Sequence, residues 1–248
     1  MKINRYLSGA VVVACAFSFS GCSHKNHNDS DSTQDNGKNR PSISDAVSSQ
    51  GIKTATTNSL PQADKSVPDS SYQNLTSGNQ IMFMYYALSN LPLDYNAIAS
   101  HYSLDYRTTN DEFKKHDLLN SLKPNIDNLV ASAKKSRYMT FDIGINLGHY
   151  DFNTKSFQII NAMDTDIFYW NSDNQDYKYS FTNCSDFKQL VVANETTART
   201  IESMVGKFPQ PILHVFAFAQ TTDPSNNSVG FQIVKVQLLN SDKSIILP

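Results

Sequence analysis

Cys22 has the plainest chemical setting in this chain. It follows Phe19-Ser20-Gly21, one bulky residue and two small ones. A thiolate is a strong nucleophile, and the small neighbours leave its backbone accessible. The other chemistry-bearing residues are scattered. His101, His116, His149 and His214 are widely spaced. His214 interrupts an apolar strand, where a hydrogen-bonded core histidine is favoured over a general base. Asp142 lies mid-strand on the polar face, placed to meet water or to pair across a sheet. Asp164-Thr165-Asp166, Asp173 and Asp176 form an acidic, turn-rich stretch. Calcium needs converging oxygens, and a solvated loop is the simpler reading. His24, His27, Asp29 and Asp31 lack a defined ligand spacing and supporting residues. No phosphate loop, nucleophile elbow, His-x-x-x-His or Cys-x-x-Cys is present in the sequence. These patterns name no catalytic residue, no metal and no cofactor.

Lys2 and Arg5 precede an apolar run, Leu7 to Phe19, that is too short for a good spanning helix. This is the layout of an export signal. With Phe19-Ser20-Gly21-Cys22 it resembles the lipobox of bacterial lipoproteins. The resemblance implies that residues 1–21 are a signal peptide and that the Cys22 thiol carries diacylglycerol. The freed amine can then take a further acyl chain such as palmitate. Phe19 stands where that family usually has Leu. Ser23 implies sorting to the outer membrane, facing the periplasm, because Asp there would favour the inner membrane. Each buried methylene is worth about 0.8 kcal/mol, so two or three chains hold firmly. The competing readings are an uncleaved anchor and an ordinary signal cut near Ala14 and Ala16. Cys15 and Phe17 fit that cut poorly.

The formal net charge is −2. Residues 78–248 hold 14 Lys and Arg against 17 Asp and Glu, a difference of −3. No basic stripe interleaved with aromatics occurs, which disfavours nucleic acid as a partner. With Cys15 in the signal and Cys22 lipidated, Cys184 stands alone and no internal disulfide can form. A packed small residue is the favoured role for Cys184. Residues 23–77 are rich in Ser, Asn, Asp, Thr and Gln. Such a stretch offers too little apolar surface to offset chain entropy, so it reads as a disordered linker. A flexible chain of that length spans about 40 Å on average.

The elements that must position any site begin at Ile81. Apolar residues from Ile81 to Leu91 predict a helix stopped before Pro92. Asp94 caps a second, with Tyr95, Ile98, Ala99 and Tyr102 on one face. Asn110 caps a third, and Pro124 either kinks it or starts the next. Ile126, Leu129, Val130 and Ala133 continue the amphipathic pattern, and Lys134, Lys135 and Arg137 suit its C-terminal end. From Tyr138 the period becomes 2. Met139, Phe141, Ile143, Ile145 and Leu147 alternate with polar residues, and Phe157–Ile160 returns after the turn Asn153-Thr154-Lys155. Ile167–Trp170 and Tyr177–Phe181 predict a second hairpin. Asn194 or Thr196 caps a short helix that Gly206 ends. Ile212–Gln220 and Val229–Leu239 predict a last hairpin whose apolar phase slips near Val234, marking a bulge. The fold class is α+β, N-terminal helices followed by a mainly antiparallel β-sheet. The division is residues 1–21 signal, 22–77 lipidated cysteine and linker, and 78–248 folded domain.

Tyr95…Ile98-Ala99…Tyr102, Asp111-Glu112-Phe113-Lys114-Lys115, Asp117-Leu118-Leu119 and Leu122-Lys123-Pro124 together resemble an uncharacterised proteobacterial domain family, often carried on lipoproteins. Ala198…Ile201-Glu202 also fits that family, which implies no activity. The one surface clue is aromatic. Tyr169, Trp170, Tyr177 and Tyr179 lie in one hairpin, and alternation sends half of its aromatics outward unless a helix covers that face. The expectation is a non-enzymatic, membrane-anchored domain that binds an envelope protein or cell-wall glycan. The alternatives are a hydrolase using Asp142 or His149, and a structural subunit of an envelope or secretion complex.

Overall fold

The computed structural model describes residues 59–247. Cys22 and the signal segment lie outside the described residues. Strand β1 (Gln73–Asn74) leads into helix α1 (Gly78–Ser89). Ser77 and Gln80 close a capping box at the start of α1, which satisfies amides that have no partner within the helix. Asn90 ends α1 in the left-handed conformation, at φ 54°. Asp94 caps α2 (Tyr95–Tyr102) by accepting from the Ala97 amide. A short α3 (Leu104–Thr108), absent from the sequence reading, follows. α4 runs unbroken over Glu112–Lys135, with Pro124 inside it and Asp111 rather than Asn110 as its cap. The Asp111 carboxylate accepts from both the Phe113 and Lys114 amides.

The strands are β2 (Tyr138–Gly144), β3 (Ser156–Gln158), β4 (Tyr169–Asn171), β5 (Asn174–Phe181) and β6 (Gln189–Val191). After α5 (Glu195–Glu202) come β7 (Ile212–Asp223), β8 (Ser228–Leu239) and β9 (Ile245–Leu247). Among the described residues, seven strands form one sheet in the order β1-β2-β7-β8-β5-β4, with β9 beside the far end of β8. The sheet is mainly antiparallel, as expected, but mixed rather than purely so. β1 runs parallel to β2, and β5 runs parallel to β8. The β2–β7, β7–β8, β4–β5 and β8–β9 pairs are antiparallel. The parallel pairs join strands far apart in sequence, so no local hairpin signal announces them. β3 leaves β2 and pairs with β6 in a separate two-stranded sheet. The β7–β8 register slips between Ile233 and Lys235, at Val234, where the apolar phase of the sequence changes.

One face of the sheet carries Met139, Phe141, Leu213, Val215, Ala217 and Phe231, all almost wholly buried. α1 packs here through Ile81, Met82, Met84 and Tyr85. The sheet curls around this core. Phe141 of β2 lies 4.6 Å from the Tyr179 ring of β5, although β7 and β8 separate the two strands. Each fully buried Val, Leu, Ile, Met or Phe side chain here is worth about 1.5–3 kcal/mol. α4 rests on α1 and α2 rather than on the sheet. Ile126 is therefore buried, while Leu118, Leu122 and Leu129 are only partly so.

The other face shows why folded structure begins before Gly78. Phe216 and Phe218 point outward; Tyr72 covers Phe216, while Tyr138 and Arg137 pack on Phe218. Tyr72 packs edge-on against Tyr138 and Phe216 at 5.2 and 5.1 Å. The Gln220 amide donates to the Pro61 carbonyl at 2.9 Å, and the Ala63 amide donates to Gln232 Oε1 at 2.8 Å. Lys235 lies over the Phe216 ring and reaches Asp69 at 2.6 Å. Residues 61–72, inside the linker expected to run to residue 77, are thus held against the sheet by these contacts. Their polar composition hides this, because they dock through amide and carboxylate hydrogen bonds and one tyrosine.

Candidate functional site

The sheet register brings two of the scattered titratable residues together. Asp142 of β2 and His214 of β7 are direct cross-strand partners on the outward face. His214 Nδ1 and Asp142 Oδ1 lie 2.6 Å apart. The imidazole also stands edge-on over Phe216, at 4.7 Å. A third group comes from a turn. Lys243, held at φ 64° between β8 and β9, folds back to donate to Asp142 Oδ2 at 2.8 Å. Burial raises the Asp142 pKa, but the bonds from Lys243 and His214 outweigh it and hold the carboxyl below its usual range. Thr140, two residues along β2, donates to Asn74 Oδ1 at 2.5 Å. These side chains line a cleft of about 360 Å³, which Asn171 and Tyr179 also line.

The cluster can hold a ligand through many hydrogen bonds. An ionised carboxylate still has lone pairs to accept with after two donors are bound. The Asp142 and Lys243 charges cancel, which suits a neutral polar ligand. An Asp–His pair is also the orienting half of a general base. Among the described residues, no hydroxyl or thiol hydrogen-bonds to His214, and the Thr140 hydroxyl is engaged with Asn74.

His149 belongs to a separate place. Its Nδ1 lies 2.6 Å from Glu202 Oε1 at the end of α5. The Tyr150 amide donates to Glu202 Oε2 at 2.9 Å. His101 contacts Asp176 at 3.3 Å. Cys184 is buried, and burial pushes its thiol pKa up, which suits a packed side chain. The acidic stretch disperses. Asp164 pairs with Lys188 at 3.1 Å, and Asp173 accepts from Ser77 and the Gly78 amide at the start of α1.

The four aromatics singled out in the sequence divide. Trp170 is 54% exposed. Tyr177 and Tyr179 are buried: α1 covers Tyr177, and Phe141 of β2 packs on Tyr179 across the curled sheet. The Tyr177 ring meets Tyr85 at 5.5 Å, and its hydroxyl donates to Tyr86 at 3.0 Å. Tyr169 stacks on Tyr179 at 5.3 Å and is half-buried. The hairpin therefore presents one outward aromatic and no aromatic platform. Sequence reasoning singled out Asp142, His149 and His214 but missed Asn74, Lys243 and Glu202 as their surroundings. A lysine in a short polar turn before a last apolar triplet was the available signal for Lys243.

No family model, curated protein or solved structure matches this chain.

Proposed function

We propose that this chain is an envelope lipoprotein, anchored through Cys22 in the outer membrane and facing the periplasm, whose α+β domain binds cell-wall glycan without transforming it. The observation that carries the glycan reading is the cleft lined by Asp142, His214, Lys243, Thr140 and Asn74. Glycans offer dense hydroxyls and amides with little charge. The cleft offers carboxylate, ammonium, hydroxyl and amide groups whose formal charges compensate. A few fixed polar groups in a concave site set orientation and specificity. The anchor reading is supported by the residues around Cys22 and by the energy of burying more than one acyl chain.

The test is co-sedimentation of the detergent-solubilised full chain with purified insoluble cell-wall sacculi. The wild type is expected in the pellet, and the Asp142→Asn, Lys243→Ala double variant in the supernatant. Wild type that stays in the supernatant, or a double variant that pellets equally, overturns the glycan reading and leaves an envelope protein as the partner.

A further inference from the structure

α5 turns one stripe of side chains toward the segment 149–152. Glu195, Ala198, Arg199 and Glu202 fall at i, i+3, i+4 and i+7 along it. Between that stripe and the segment lies a cavity of about 320 Å³. Ala198 is buried at its floor, and a single methyl there leaves the space open. The opposite wall is aromatic. Phe152 is 79% exposed and meets Tyr150 edge-on at 5.0 Å. Tyr150 itself is fixed: its hydroxyl donates to the Val192 carbonyl at 2.9 Å, and its ring packs on Phe157 at 5.1 Å.

The charges around this wall are uneven. Arg199 lies 3.8 Å from Glu195, both well exposed. Among the described residues, the Glu202 carboxylate accepts from the Tyr150 amide and pairs with His149. Those two hydrogen bonds, His149 first, hold its carboxyl below the usual range. A carboxylate and two aromatic rings thus line one cavity, and aromatic faces attract cations. A neutral apolar group would fill the cavity but leave the carboxylate unused. An anion would meet Glu202 directly.

We propose that this cavity binds an alkylammonium group, free or on a lipid headgroup, with Phe152 and Tyr150 as ring faces and Glu202 as counter-ion. It is a second site, independent of the Asp142 cleft. The test uses the full chain in a maltoside detergent, titrated calorimetrically with choline and with 3,3-dimethylbutan-1-ol, its uncharged isostere. Choline is expected to bind about tenfold tighter than the isostere. Phe152→Ala and Glu202→Gln are each expected to weaken choline by about tenfold. Phe152 is exposed, so its removal spares the core. Ala198→Leu, which fills the cavity, is expected to abolish binding while circular dichroism stays unchanged. Dihexanoylphosphatidylcholine below its micellar concentration separates the sources: tighter binding than choline assigns a lipid headgroup, and equal or weaker binding a free cation. Equal binding of the isostere, no binding of either cation, or indifference to Phe152→Ala overturns the proposal. The Asp142→Asn, Lys243→Ala variant leaves this titration unchanged, so the two sites fail separately.

Discussion

Replacing Gly78 with alanine sets two effects of opposite sign against each other. Gly78 is the first residue of α1, and alanine gains at most about 1 kcal/mol over glycine in a helix. Against this stands a close approach. A Cβ on Gly78 would lie 2.6 Å from the Asn174 carbonyl oxygen and 2.9 Å from the Asn174 Cβ. The nearer atom is backbone at the first residue of β5, beside the β4–β5 turn, so no flexible side chain can swing clear. Relief requires α1 to draw back from that turn. The same movement lengthens the bonds that the Gly78 amide and the Ser77 hydroxyl donate to Asp173, at 2.9 and 2.5 Å. Overpacking costs about 1–3 kcal/mol, and a hydrogen bond to a charged group is worth about 1.5–3 kcal/mol. Even with partial relaxation, Gly78→Ala is expected to destabilise by about 2 kcal/mol. For a domain of this size that lowers the Tm by about 4–8 °C. Thermal melting followed by circular dichroism reads this directly. A Tm equal to or above that of the wild type would refute the reasoning, because helix propensity would then outweigh the contact.

Two further outcomes follow from the outer face. Tyr72→Ala removes a ring buried against Tyr138 and Phe216, and is expected to cost about 2–4 kcal/mol in urea unfolding; a loss under about 0.5 kcal/mol, the range of an ordinary surface substitution, would show that Tyr72 does not cover Phe216. The folded-state pKa of Asp142 is depressed, so its stabilising contribution is present above the unfolded carboxylate value of about 3.9 and is lost as pH falls through the lower folded value. The urea midpoint of the wild type should therefore drop more steeply below about pH 4 than that of Asp142→Asn, and parallel curves would contradict the hydrogen bonds that Asp142 makes with Lys243 and His214.

Local signals carried much of the fold into view. The alternation from Met139 to Ile143 is β2, the carboxylate of Asp94 caps α2, and the phase slip at Val234 is a register shift. Asp142 lies on the polar face of β2 and pairs across the sheet, as its phase requires. The features that stayed hidden depend on partners distant in sequence. Tyr177 and Tyr179 share their alternation with any outward-facing strand, and only the docking of α1 and the curl of the sheet turn that face into core. Residues 61–72 read as linker because hydrogen bonds to Gln220 and Gln232 leave no hydrophobic period. The parallel neighbours of β2 and β8 are set by chain closure, which no window of sequence contains. Lys243 reaches Asp142 through a left-handed turn, and Glu202 reaches His149 across 53 residues.

The central claim is that Cys22 tethers a domain that holds another envelope component. The most direct measurement is labelled-palmitate incorporation with in-cell crosslinking, comparing the full chain with its Cys22→Ala variant. The account predicts label on the wild type alone, and a crosslinked cell-wall species that the variant loses. Absence of label from the wild type would contradict the anchor, and labelled protein that captures nothing would contradict the binding role.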